Sequence, residues 1–179
     1  MTTAPIESRK AAKFLFFFFI LLAVGTFAWG FFVAEKVRAR ARQVDGALRS
    51  VAWACLCYSQ PTSQPTSQQT SLASDHLWPD SDASLIASTG AWSRETIESP
   101  GAQWPATREA ALAGTVAPAN AAEALAIVGV EFSKDPHDCP HITALGNPSG
   151  LDTLEVVNAW LTEYAKAQFS RSLPAPIQK

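Results

Sequence analysis

Twenty consecutive residues, Phe14 to Val33 (FLFFFFILLAVGTFAWGFFV), carry no charge. As a helix rising about 1.5 Å per residue, this run is about 30 Å long, the thickness of a bilayer's hydrocarbon core. It is apolar on every side, and basic residues fence both ends: Arg9, Lys10 and Lys13 before it, Lys36, Arg38, Arg40 and Arg42 after it. That pattern predicts a transmembrane helix over 14–33, preceded by a basic tail over 1–13. A cleavable signal peptide ending at Ala28 is the competing reading. Phe31 to Val33 carry the apolar stretch past that site, which favours an uncleaved signal anchor.

The charge distribution divides the chain. Residues 1–58 hold eight Lys/Arg and three Asp/Glu, whereas residues 59–179 hold six and thirteen. The basic part flanks the apolar run. The acidic part suits a solvated domain and offers nucleic acid no basic, aromatic-interleaved surface, so nucleic acid is excluded as a partner. The two basic flanks nearly balance under the positive-inside rule. The short basic tail favours a cytoplasmic N-terminus, and acids hinder translocation little, so the C-terminal domain is expected to be extracytoplasmic.

Beyond the run, apolar or small residues recur at Ala34, Val37, Ala41, Val44, Leu48, Val51 and Cys55, alternately three and four apart. This heptad seam predicts that the helix continues through an amphipathic juxtamembrane segment, 34–57, with the character of a parallel coiled coil. Ala23, Thr26 and Gly30 extend the seam into the apolar run, where small residues let helices approach closely. Arg40 and Asp45 would then face each other across the pair of helices at g and e positions. The same stripe could instead pack on the protein's own globular part, and Gly46 costs about 1 kcal/mol in a helix interior.

Residues 59–71 (SQPTSQPTSQQTS) repeat Gln-Pro-Thr-Ser and contain neither an apolar side chain nor a charge. This composition predicts a disordered linker over 58–75. Residues 76–179 then form a small α-rich or α+β domain, giving a mainly α protein overall. Between 76 and 104, scattered Trp, Leu and Ile among Ser, Asp and Pro suggest loops packed onto something else. A short helix is expected from Pro105. A second follows Asn120, where Glu123 completes a capping-box pattern, and closes at Gly129. Val130 to Phe132 suit a short strand. A long final helix opens on a second capping-box pattern, Asp152 with Glu155, and carries Leu154, Val157, Trp160, Leu161, Tyr164 and Phe169 on one apolar face, with Pro174 ending it. Trp160 and Tyr164 read as core anchors.

Chemistry concentrates in KDPHDCPHI, residues 134–142. In an extended segment His137, Cys139 and His141 point the same way, and two imidazoles with a thiolate suit zinc or copper. Pro136 and Pro140 oppose a regular strand, and a fourth ligand would have to come from His76, Asp135, Cys55 or Cys57. The plainer reading is a loop leading to the last helix, with no cofactor. Cys55 and Cys57 are too close for an easy mutual disulfide, but the flexible linker allows either to pair with Cys139 in an oxidising compartment. No nucleophile elbow, phosphate-binding glycine loop or HExxH motif occurs. The expectation is a non-enzymatic, membrane-anchored scaffold or assembly subunit of a cell envelope, associating with itself or with other membrane subunits and binding a protein partner. The alternative is a membrane-tethered metal or redox protein built on His137, Cys139 and His141.

Overall fold

The computed structural model describes residues 6–60, 77–98, 103–135, 138–150 and 152–172. The protein is mainly helical. Helix α1 spans Ile6–Tyr58. Short helices α2 (Asp82–Ala87), α3 (Thr89–Ser93), α4 (Arg108–Leu112) and α5 (Ala121–Ile127) follow. Strands β1 (Gly129–Glu131) and β2 (His141–Thr143) precede helix α6 (Thr153–Ser172). The chain divides into two compact units, residues 1–39 and 40–179.

In the first unit, α1 is long and apolar enough to span a membrane. None of its apolar run is covered by the chain: exposure ranges from 42% at Val33 to 78% at Phe27. Arg38 pairs with Glu35 at 3.1 Å, and the Lys36 ammonium lies 4.6 Å from the centre of the Phe32 ring. A lysine stem folded back along an apolar helix surface in this way keeps its charge at the polar end of the run.

The second unit is built around the remainder of α1. Val44, Ala47, Leu48, Val51, Ala52, Trp53, Ala54, Cys55 and Leu56 are at most 1% exposed. Burial on all sides, rather than along one stripe, is the behaviour of a core helix. This changes the reading of 34–57 as a juxtamembrane coiled coil: the folded unit begins at Arg40, and the helix supplies its centre. Asp45, expected to face Arg40 of a second copy, instead accepts the Gly150 N–H at 2.8 Å. Arg40 reaches Gln43 and Asn147.

Loops attach to this helix through hydrogen bonds that satisfy their backbone groups. The Arg49 guanidinium donates to the carbonyls of Ala111, in the last turn of α4, and Ala113, just past it. The Trp53 indole N–H donates to Arg94 O at 2.9 Å. Gln60 Nε2 donates to Glu98 O and to the Tyr164 hydroxyl. The Val116 N–H donates to Arg42 O, and its carbonyl lies over Gly46. Residues 61–76, most of the expected linker, lie outside the described residues. Gln60 and Leu77, the described residues on either side of it, both belong to the 40–179 unit.

Several local expectations hold. Asn120 Oδ1 accepts the Glu123 N–H at 2.8 Å and caps α5, while the Glu123 carboxylate takes the Ala119 N–H. Val157, Trp160, Leu161 and Tyr164 of α6 are buried, and the Tyr164 ring meets Trp78 and Trp104 edge-on at 5.8 and 5.4 Å. Phe169, expected on the same face, is exposed.

The 134–142 segment departs from a plain loop. Its end is β2, paired antiparallel with β1 in the register Gly129↔Thr143, Val130↔Ile142 and Glu131↔His141. Asn158 of α6 closes the other edge of β2. Its Oδ1 accepts the Ile142 N–H at 2.9 Å, and its Nδ2 donates to Ile142 O and Leu154 O at 3.0 Å each. One side-chain amide thus replaces the peptide group of a missing third strand. Asn158→Ala is expected to cost about 1–3 kcal/mol, because the groups of a fully buried Ile142 lose their partners. Asn158→Gln, one methylene longer, should not rescue it. Urea unfolding of the 40–179 unit in detergent measures both.

Candidate functional site

Two regions carry the residues that the sequence singles out. The first is the exposed part of the helical seam. Ala23, Thr26, Gly30, Ala34 and Val37 all lie on the uncovered stretch of α1. The Thr26 hydroxyl donates to Ala23 O at 2.9 Å, so its polar group is satisfied within the helix and needs no water. A Cβ at Gly25 or Gly30 would meet nothing within 4 Å, so nothing in the chain itself requires glycine there. Small residues of this kind are what a close-packed helix pair in lipid uses.

The seam does not continue as one surface. Ala41 is half-buried, and Val44, Leu48, Val51 and Cys55 are fully buried within the 40–179 unit. These four cannot form a face for a second helix while the unit is folded. The apolar run VAWACLC, Val51 to Cys57, was the signal for this outcome. Seven residues without a polar side chain bury all round, whereas a coiled-coil seam leaves its outer positions polar.

The second region lies between β2 and α6. His137 falls outside the described residues. The structure brings Cys139 and His141 to the same stretch of α6: Cys139 Sγ lies 3.9 Å from the Thr162 hydroxyl, and His141 shares with Thr162 an open groove of about 530 Å³. Glu155, Asn158 and Glu163 also line this groove. Of the proposed additional ligands, Cys55 and Cys57 are buried in the core and His76 falls outside the described residues. Among the described residues, no three His, Cys, Asp or Glu side chains converge as a metal-binding group.

All three cysteines are free thiols, with Cys55 and Cys57 buried and Cys139 partly so. Burial pushes the Cys55 thiol far up, reinforced by Cys57 and Cys139. Burial also pushes Cys57 up to about 12, with Arg94 and Arg108 working in the opposite direction. Thiols held neutral in this way are poor nucleophiles. A thiol-directed reagent at neutral pH is expected to modify Cys139 alone in the native protein, and all three cysteines after denaturation.

The linkage has a definite sign. Above its ordinary pKa of 9.0, Cys57 ionises in the unfolded chain but stays protonated in the fold. The stability present at neutral pH is therefore lost as pH rises from 9.0 toward about 12. Each such group contributes a slope of about 1.4 kcal/mol per pH unit in that window. Cys57→Ala should flatten the alkaline unfolding profile by about that amount.

Sequence reasoning missed the residues that do most of the positioning: Trp53, Gln60, Asn158 and the Val116 backbone. Their partners lie 16 to 104 residues away in the chain, beyond any local pattern. No family model matches this chain, and neither the curated proteins nor the solved structures give a significant match.

Proposed function

We propose that the protein is a single-pass membrane protein that acts as a scaffold or assembly subunit of a membrane complex. Its N-terminus is cytoplasmic, and its folded unit is extracytoplasmic and binds a protein partner. One observation carries the reading: the apolar surface from Phe14 to Val33 is uncovered along its whole length, while the turns of the same helix from Val44 onward are the buried centre of a folded unit. A helix surface of this size needs lipid or another protein around it. The small-residue face of Ala23, Thr26, Gly30 and Ala34 supports helix–helix association within the bilayer, with a second copy or with another subunit.

The test is crosslinking in intact membranes followed by size analysis in mild detergent, for wild type and Gly30→Ile. The expected result is a discrete oligomer or stoichiometric complex that Gly30→Ile weakens about tenfold or more, since a branched side chain holds the helices apart. A monomer in both variants would defeat the association reading. Protease protection in sealed vesicles tests the orientation. Elemental analysis tests the metal alternative: stoichiometric zinc or copper, lost in Cys139→Ser, would replace the scaffold reading with that one.

A further inference from the structure

We infer that the folded unit docks on an anionic lipid surface through one end, formed by Arg40, Arg42 and the two turns that present Val116 and Leu145. The inference rests on the membrane-anchor reading and adds to it a specific lipid-facing surface on the folded unit.

Two turns of the 40–179 unit are bonded to the start of its share of α1. Arg40 Nη2 lies 3.5 Å from Asn147 Oδ1, which ties in the turn carrying Leu145. Arg42 O accepts the Val116 N–H at 3.2 Å, which ties in the turn after α4. The Val116 backbone is thus clamped between Arg42 and Gly46, and its side chain is left 51% exposed. Leu145 is 63% exposed. Both are large apolar side chains at turns, in a unit whose other leucines and valines are mostly covered.

Leu145 provides a second, independent indication. Its φ is +49°, followed by Gly146 at +76°. The left-handed region is costly for a leucine, and glycine or asparagine would fit the turn better. Its side chain occupies the space that a Cβ at Gly129 would need but stays largely in solvent, so burial returns little for that strain. Strained, exposed apolar residues of this kind mark binding surfaces.

Charge and connectivity identify the partner. Residues 40–179 hold nine Lys/Arg and fourteen Asp/Glu, yet this end presents two exposed arginines. Among the described residues neither has a carboxylate within ion-pairing distance. Guanidinium groups beside protruding apolar side chains match the phosphates and upper acyl chains of a bilayer interface. Val33, the last residue of the apolar run, is seven residues from Arg40. In any conformation the chain keeps them within about 25 Å, so once the run is in a bilayer this end of the unit is tethered within reach of the headgroups.

The test uses the full chain in nanodiscs, with Cys139→Ser, the buried Cys55 and Cys57 retained, and a polarity-sensitive fluorophore on one added cysteine at a time: Val116→Cys, Leu145→Cys, Ser93→Cys or Phe27→Cys. Ser93 adjoins Arg94, which contacts Trp53, thirteen residues and about 20 Å farther along α1. Nitroxide lipids are expected to quench Val116→Cys and Leu145→Cys in nanodiscs containing anionic phospholipid, and Phe27→Cys in all nanodiscs, but not Ser93→Cys. Arg40→Gln with Arg42→Gln should lower the docked-to-undocked ratio roughly 25-fold, about fivefold per arginine. Hydrogen exchange of the unlabelled protein should slow at 114–117 and 143–147 in anionic nanodiscs relative to detergent.

Quenching of Phe27→Cys without quenching at positions 116 and 145 would overturn the docking and leave the anchor standing. No quenching of Phe27→Cys would overturn the anchor reading itself. Equal quenching in zwitterionic and anionic nanodiscs would overturn the role of the arginines and with it the proposed lipid class. Protection that requires an added membrane protein would assign the surface to that protein and overturn the lipid proposal.

Discussion

Replacing Trp53 by alanine is expected to destabilise the 40–179 unit by about 3–5 kcal/mol. The indole is 1% exposed within the apolar core of the unit, so its removal leaves a cavity there. It also strips the Arg94 carbonyl of its donor. A loss of this size is a large part of the 5–15 kcal/mol that holds a typical domain together. Limited proteolysis in detergent reads the effect, because Arg94 and Arg108 become trypsin sites when the unit opens. The same substitution separates two views of the helix. In a coiled coil with Val51 and Cys55 on the seam, Trp53 lies outside it, and its loss would leave the helix and any oligomer nearly unchanged. A variant with wild-type protease resistance would show that α1 is not the core of this unit.

Gly46→Ala is expected to destabilise the unit by about 1–3 kcal/mol, although alanine is the better helix former by about 1 kcal/mol. The sign is set by tertiary packing. A Cβ at Gly46 would fall on the Val116 carbonyl oxygen and lie 2.6 Å from the carbonyl carbon. Those are backbone atoms, and the Val116 N–H is already bound to Arg42 O, so the turn cannot swing away cheaply. Gly30→Ala provides the internal control. A Cβ there meets nothing, so in detergent the 40–179 unit should keep its wild-type stability. Urea midpoints for the two variants decide the matter, and a rise at Gly46→Ala would mean that the Val116 turn does not seat on the helix.

These two residues show where reading the chain reaches its limit. Gly46 looks like a weak point in an amphipathic helix until the Val116 carbonyl is seen above it. Trp53 lies off the heptad seam and carried no periodic signal. Leu48, Val51 and Cys55 keep the three-and-four spacing of a coiled coil, but that spacing fits any buried helix face and does not say whether the partner is a second chain or the same one. Asn158 is a polar residue within the last helix. Its role depends on Ile142, placed beside it by a strand only three residues long. The Asn120 cap on α5 was legible because its partner is three residues away.

Local chemistry determined the apolar span, its basic fences, the continuation of the helix past them, the α5 cap and the apolar face of the last helix. Each depends on residues within a few turns of one another, and the bilayer-length run is fixed by composition alone. Tertiary structure decided that the helix after Arg40 is a core rather than a seam. It also paired Asp45 with the Gly150 N–H, and set Cys139 beside the Thr162 hydroxyl of α6. The physical reason is common to all three. Which surface buries an apolar stripe, and which donor satisfies a loop carbonyl, are settled by contacts between residues distant in the chain, and the spacing of letters along the sequence does not record them.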